Sequence, residues 1–127
     1  MDSETFPGSL PFQLNNLFHF ADHQGEIPWE PYKEGVEIFR LYGDGVIGPT
    51  AALVRYREHS EVPFHEHVGY EHIFVLSGSQ RDQNGTYEAG TMVINPPGTR
   101  HKVISDGGCI VLAIYEKPVL FVPEESS

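Results

Sequence analysis

Three side chains that can bind a metal ion lie close together in the sequence: His65, His67 and Glu71. In a β-strand, alternate side chains share one face, so residues of the same parity point the same way. We therefore expect both imidazoles and the carboxylate to converge, unless Gly69 bends the backbone and alters the spacing. His101, which begins a later strand-like segment, is a fourth candidate.

Three imidazoles and one carboxylate make a mixed nitrogen and oxygen ligand set. Such a set suits zinc, iron, manganese, nickel or copper, and it does not distinguish among them. A His-x-His pair alone is more often a pair of surface or hydrogen-bonded histidines. The metal hypothesis therefore depends on the elements that position these residues.

The segments around these residues are short, rich in β-branched and aromatic residues, and separated by turn residues. This pattern predicts an all-β sandwich or barrel. Asn84-Gly85 is the signal of a type I′ hairpin turn. The predicted strands cover residues 36–42, 50–56, 62–67, 71–76, 91–94, 101–105 and 109–115.

The first 28 residues lack a strand pattern. We expect residues 1–28 to form an arm that packs on the main domain, with exchange between subunits as the alternative. Residues 29–122 would form the barrel and residues 123–127 a frayed tail. The residues that would line one face of a short helix in the arm are Phe12, Leu14, Leu17 and Phe18.

Composition excludes several classes of protein. The 127 residues are enough for one domain. The 18 acidic residues outnumber the 8 basic ones, for a net charge of −10, which argues against nucleic acid or an anionic membrane as partner. The single cysteine excludes an internal disulfide and an all-cysteine metal site. Because neither a signal peptide nor a long apolar run is found, we expect a cytoplasmic protein.

Two sequence motifs resemble those of the cupin superfamily. The first motif, His-x-His, three or four residues, Glu, six residues and Gly, is matched by His65, His67, Glu71 and Gly78. The second, Gly, five residues, Pro-x-Gly, two residues and His, is matched by Gly90, Pro96, Gly98 and His101. The resemblance implies a double-stranded β-helix, or jelly-roll, barrel with a metal held by His65, His67, Glu71 and His101.

The chain departs from these motifs at two positions. His59 stands where the first motif begins with Gly, and Ser105 stands where the second ends with Asn. Neither position supplies a ligand in the motif, so the metal site is expected to survive.

Residues 29–116 are further similar to the ChrR-type cupin domain. This is the C-terminal domain of zinc-binding anti-sigma factors, and it also occurs alone. The similarity includes Trp29-Glu30-Pro31 and Asn95-Pro96-Pro97-Gly98. The anti-sigma domain itself carries a His-x3-Cys-x2-Cys motif, which one cysteine cannot supply, so we expect no direct inhibition of a sigma factor.

The same branch is similar to small dioxygenases that cleave carbon–carbon bonds in diketones and hydroxyacetophenones. The resemblance therefore implies a non-haem metal-dependent dioxygenase-like enzyme that acts on a small carbonyl compound, with Glu71 as a ligand or a catalytic base. The alternative is a metal-binding sensor module without turnover. Either function implies one divalent metal per chain, Fe(II) or Zn(II) first and Mn, Ni or Cu next.

The resemblance also implies a small-molecule ligand in the barrel and a homodimer. The apolar residues 119–122 are consistent with an edge strand or arm at such an interface.

Other residues are given simpler expectations. His72 has the opposite parity and should face out of the barrel, Cys109 should be a buried structural thiol, and Asp82 should be a solvated turn residue. Surface positions are expected for His19, His23 and His59. Barrel-lining or core positions are expected for Ile73, Val75, Met92, Ile94 and Val103. The candidate substrate contacts are Tyr56, Tyr70, Tyr87, Arg55 and Arg100.

Overall fold

A computed structural model describes residues 11–124, and within them it contains ten β-strands and a 3₁₀ helix. The all-β prediction is confirmed. The elements are the helix Leu17–Glu26, β1 Glu30–Lys33, β2 Val36–Tyr42, β3 Thr50–Tyr56, β4 Ser60–Glu66, β5 Glu71–Asp82, β6 Gly85–Glu88, β7 Met92–Asn95, β8 Arg100–Ser105, β9 Cys109–Tyr115 and β10 Leu120–Phe121.

The strands form one antiparallel sheet in the order β1-β2-β3-β9-β5-β8-β4-β10, and β6 and β7 also pair with β5. The long strand β5 joins the two halves of this sheet. Its first half pairs with β7 and β9, and its second half pairs with β6 and β8. A bulge between Val75 and Ser77 and a φ of +70° at Gly78 separate the two halves. The sheet curls at this point, and its concave face encloses the candidate site.

Apolar residues occupy both faces of the curled sheet, as the alternation along β3 shows. Ala52 and Val54 belong to the interior cluster, whereas Leu53 packs on the outer face against Phe20 of the helix. Three predicted core residues, Ile73, Val75 and Val103, lie in the interior cluster. Met92 and Ile94 are exposed, so their predicted place in the barrel is wrong.

The arm differs from its prediction in two ways. The helix begins at Leu17, and residues 11–16 are not helical. Phe20 is the buried helical residue, while Phe12 and Phe18 are exposed. The predicted apolar face therefore started too early in the chain.

The predicted hairpin is present, but its turn is not type I′. Asp82 pairs with Gly85, so Gln83 and Asn84 form the two-residue loop, and neither has a positive φ. The Asn84 backbone N–H instead donates to Oδ1 of Asp82 at 2.8 Å. The aspartate therefore shapes the turn through its side chain.

His59, which stands where the motif has glycine, adopts a backbone conformation that favours glycine. Its φ is +62°, in the left-handed region where a Cβ is unfavourable. We expect His59→Gly to raise the free energy of unfolding by about 1 kcal/mol. Urea denaturation measures this change. His59→Ala removes the same exposed imidazole but keeps the Cβ, so a gain in that variant too would refute the backbone explanation.

Within residues 11–124, no helix is long and apolar enough to cross a membrane.

Candidate metal centre

The fold brings together all four residues predicted to bind a metal. His65 on β4 lies opposite His101 on β8, His67 follows β4 directly, and Glu71 begins β5. All four are buried, with exposed fractions between 1% and 7%. Their candidate ligand atoms lie within 4.8 Å of one another. This cluster of donor atoms has the dimensions of a site for one metal ion.

A bulge in β4 sets the position of His65. The register between β4 and β8 shifts between Val62 and His65, next to Pro63. Proline is tolerated at such a bulge because it cannot donate to the ladder. The Pro63 carbonyl then accepts a hydrogen bond from Nδ1 of His65 at 2.8 Å. That bond leaves Nε2 of His65 as the free ring nitrogen.

The Pro96-Pro97-Gly98 turn positions His67. The backbone N–H of His67 donates to the Thr99 carbonyl at 2.9 Å, and Gly98 donates back to the His67 carbonyl at 2.8 Å. Nδ1 of His67 lies 3.0 Å from both the carbonyl and the hydroxyl oxygen of Thr99. The Thr99 hydroxyl itself donates to the Pro96 carbonyl at 2.6 Å, so its oxygen is available to accept. These contacts favour Nδ1–H on His67 and a lone pair on Nε2.

His101 is oriented by a residue that sequence reasoning assigned to solvent. The side chain of Asp82 is 3% exposed, and its Oδ2 accepts a hydrogen bond from Nδ1 of His101 at 2.9 Å. The prediction of a solvated turn residue is wrong. β5 continues through Ser77-Gly78 to Asp82 and carries this carboxylate beneath β8.

The free nitrogens face one another and the carboxylate of Glu71. Nε2 of His67 lies 2.9 Å from Oε1 of Glu71. Among the described residues, Nε2 of His67 and Nε2 of His101 are buried without a hydrogen bond. Lone pairs on a neutral imidazole and a carboxylate repel at this distance unless a cation lies between them. The orphaned nitrogens therefore fit a bound metal ion.

Glu71 also fits a bound cation. Burial raises the pKa of its carboxyl, but the neighbouring imidazoles of His67, His65 and His101 outweigh burial and hold the pKa below its usual value. Asn95 Nδ2 also donates to Oε1 at 3.2 Å. Among the described residues that line the cavity there is no lysine or arginine. A buried carboxylate without a fixed cationic partner is costly, and a divalent cation would neutralise it.

Three of the four residues, His65, Glu71 and His101, line a cavity inside the curled sheet. The cavity has a volume of about 60 Å³. Most of the wall is aliphatic, from residues such as Ile38, Val54 and Val111. The polar side chains of the wall, apart from those of the cluster, are Tyr32, Tyr56, Gln80 and Tyr115.

One of the five predicted substrate contacts lines this cavity, namely Tyr56. Arg55 lies outside it, paired with Glu37 at 2.6 Å, and Arg100 is paired with Glu66 at 2.7 Å. Tyr70 is exposed, and the Tyr87 hydroxyl donates to Asp82 at 3.0 Å. These four residues do not line the cavity, so their contact with a substrate stays a prediction.

Sequence reasoning missed Tyr32, Gln80 and Tyr115 in the cavity wall, and no motif marks them. Tyr115 has the same parity as the interior residue Val111 of β9, so strand alternation was a usable signal there. Gln80 was harder to find, because the bulge between Val75 and Ser77 reverses the alternation along β5.

The remaining expectations concern single residues. Cys109 is buried, as predicted, and burial raises the pKa of its thiol to about 11, so it stays protonated at neutral pH. His72 does not line the cavity and lies on the other face of β5, between Ile94 and Ile114. Ser105, in place of the motif's Asn, is fully buried and donates to the Ser79 carbonyl at 2.7 Å. Ser105 therefore forms a hydrogen bond between β8 and β5.

The metal-free protein should lose stability in mild acid because of His65. Burial lowers the pKa of His65 from 6.5 to about 4 in the folded chain. Below pH 6.5 the unfolded chain binds a proton that the folded chain does not bind, so stability falls as pH drops from 6.5 towards 4. We expect a loss of about 3 kcal/mol. Urea denaturation in the presence of a chelator tests this, and a His65→Gln variant with the same pH dependence as wild type would contradict it.

Comparisons with known proteins identify the family and the fold. The family model of the ChrR Cupin-like domain matches residues 19–119. No curated protein matches the chain. An RmlC-like cupin protein from Ralstonia eutropha shares 25% identity and a TM-score of 0.69, over 81% of this chain and 71% of that chain.

Two more distant structures share the fold. The anti-sigma factor ChrR of Rhodobacter sphaeroides, solved in complex with SigE, has 21% identity and a TM-score of 0.65, over 89% of this chain and 73% of that chain. An acetylacetone dioxygenase from Acinetobacter johnsonii has 15% identity and a TM-score of 0.71, over 92% of this chain and 80% of that chain. The chain belongs to the ChrR cupin-like family, and the resemblance seen in its motifs is confirmed.

Proposed function

We propose that this ChrR cupin-like chain is a mononuclear non-haem metal enzyme of the dioxygenase type that acts on a small carbonyl compound. One observation carries the proposal: three oriented imidazoles and one carboxylate converge within 4.8 Å, with buried nitrogens that lack hydrogen bonds, at the wall of an apolar cavity. A plain β-barrel core would not leave these groups unpaired.

His65, His67, His101 and Glu71 would hold one divalent metal, with Fe(II) proposed for the enzyme. Bound there, the metal would supply Lewis-acid and redox chemistry at positions that the protein leaves open. The protein's own contribution is orientation, because each histidine is fixed through Nδ1 by a carbonyl or a carboxylate. Glu71 is proposed as a ligand, because its pKa is held below the usual value and a carboxylate suits a cation; the role of catalytic base is the alternative.

The cavity wall selects for a compact ligand with few polar atoms. Burial raises the pKa of Tyr32 to about 12, and burial also raises the pKa of Tyr56, so both phenols are neutral hydrogen-bond donors at neutral pH. Gln80 is 4% exposed, and its Oε1 has no hydrogen-bond partner among the described residues. A short aliphatic diketone or hydroxyketone fits this space and these partners better than an aryl ketone does.

Oxygen uptake by the Fe(II)-loaded protein tests this function. The substrates are 1,3-diketones and 2-hydroxyketones of increasing chain length, with a hydroxyacetophenone as the bulky member. We expect uptake with the short aliphatic compounds, and none in a Glu71→Gln variant. Loaded protein that consumes no oxygen with any compound, although it binds iron, would contradict the enzymatic proposal.

A metal-dependent sensor is the second candidate, and one contact favours it. The ring of Phe121, on the two-residue edge strand β10, lies 5.7 Å from the ring of His65. A movement of His65 on metal binding would therefore be transmitted through Phe121 to the exposed strand β10. This candidate expects stoichiometric Zn(II) in protein purified without an affinity tag, and no turnover with any metal.

We also propose a homodimer, as family resemblance implies. The predicted interface at residues 119–122 is partly used within the chain, because Leu120 and Phe121 pair with β4. The outer face of β7, β5 and β9 instead exposes Met92, Ile94 and Ile114. Light scattering after size exclusion measures the mass, and a monomer for both wild type and an Ile94→Lys variant would refute a dimer.

A further inference from the structure

Asp82 lies at the junction of the candidate metal centre and the β5–β6 hairpin. Its Oδ2 faces Nδ1 of His101 at 2.9 Å. Its Oδ1 accepts hydrogen bonds from the Asn84 backbone N–H at 2.8 Å and the Tyr87 hydroxyl at 3.0 Å. The carboxylate is therefore held through both oxygens, one by the hairpin and one by the histidine.

The three histidines differ in the partner of Nδ1. His65 and His67 donate to the neutral oxygens of Pro63 and Thr99, whereas His101 donates to a carboxylate. Both oxygens of Asp82 act as acceptors, Oδ1 from the Asn84 N–H and the Tyr87 hydroxyl and Oδ2 from His101, as in a carboxylate. A charged acceptor draws the Nδ1 proton more strongly than a carbonyl does.

We propose that Asp82 is a positioning residue of the metal centre: it fixes the tautomer and ring orientation of His101 and makes His101 the most basic of the three imidazole donors. The inference rests on the proposed metal centre. It gives the β5–β6 hairpin a role there, because the hairpin holds Asp82 in place. Outer carboxylates of this kind orient a metal-binding histidine and raise its basicity, and their loss costs about 10–100-fold in metal affinity.

The arrangement also has an electrostatic consequence. Two carboxylates lie beside the three imidazoles: Oε1 of Glu71 is 2.9 Å from Nε2 of His67, and Oδ2 of Asp82 is 2.9 Å from Nδ1 of His101. Asp82→Asn would remove one of these two carboxylates, and with it a negative charge that faces the metal centre through His101. Affinity for the cation should fall even if the four ligands keep their places.

Cobalt(II) titration of the metal-free protein tests the role of Asp82. We expect Asp82→Asn to weaken cobalt binding by about 10–100-fold and to shift the cobalt d–d absorption bands, because the donor strength of His101 changes. Glu88→Gln is the matched control: it removes one negative charge from the same hairpin at an exposed position of β6. The control should bind cobalt and absorb light as wild type does.

A third variant separates positioning from folding. Tyr87→Phe removes one hydrogen bond to Asp82 but keeps its charge, so we expect a weaker effect in the same direction. Wild-type affinity and an unchanged cobalt spectrum in Asp82→Asn would overturn the inference and leave the metal centre standing. A wild-type protein that binds no cobalt would instead overturn the metal centre itself.

Discussion

His101→Ala should leave the protein without its metal. Wild-type protein purified without an affinity tag is expected to carry about one metal ion per chain, and the variant close to none, with an affinity loss larger than the roughly 100-fold upper range for an outer partner. The reason is geometric, because His101 supplies one of four donor atoms that lie within 4.8 Å of one another. Elemental analysis and a chelator competition measure both quantities.

Two further variants make this result specific. His67→Ala should lose the metal as well, and it leaves Asp82 and His101 in contact, so loss in both variants cannot be due to Asp82. His72→Ala is the control, since His72 lies next to Glu71 in sequence but on the other face of β5. Equal metal content in wild type and His101→Ala would refute the proposed metal site.

Gly78→Ala should be strongly destabilising. A Cβ at Gly78 would lie 2.1 Å from the Gly108 carbonyl oxygen, and φ there is +70°. The neighbouring atom belongs to the backbone, so no side chain can move aside. We expect a loss of about 4 kcal/mol from strain and overpacking together. Urea denaturation and the yield of folded protein measure the loss.

The matched control is Gly90→Ala. Gly90 has a φ of +95°, but a Cβ at that position would meet no atom within 4 Å. That variant should lose about 1 kcal/mol, which is the cost of the left-handed conformation alone. If the two variants were equally stable, the close approach of β5 to the Gly108 turn would not be what requires glycine at position 78.

The four candidate ligands were predictable because the spacing of the two cupin motifs includes them all. Strand parity alone did not suffice: β4 ends at Glu66 and β5 begins at Glu71, so Glu71 and the two histidines His65 and His67 do not belong to one continuous strand. Gly69 is buried and close to Glu116, and it did not disturb their convergence. The predicted strand ends also agree with the structure where turn residues follow the strand, as for β2, β3 and β9.

Other features depend on contacts distant in sequence, and no local pattern shows them. Ser77-Gly78 resembles a turn, but β5 continues through it with a bulge, and this extension places Gln80 and Asp82 beside β8. The polar residues around Asp82 predict an exposed side chain, but in the folded chain His101 packs against it and buries it. Met92 and Ile94 look like core residues, but they face outward on β7.

The location of the metal in a crystal of the protein tests the central claim most directly. Anomalous difference maps collected at the absorption edge of the metal found by elemental analysis would place each ion. We expect one peak per chain at bonding distance, about 2.0–2.3 Å, from Nε2 of His65, His67 and His101 and from the Glu71 carboxylate. A fully occupied peak elsewhere, with these four side chains unbound, would contradict the proposed metal centre.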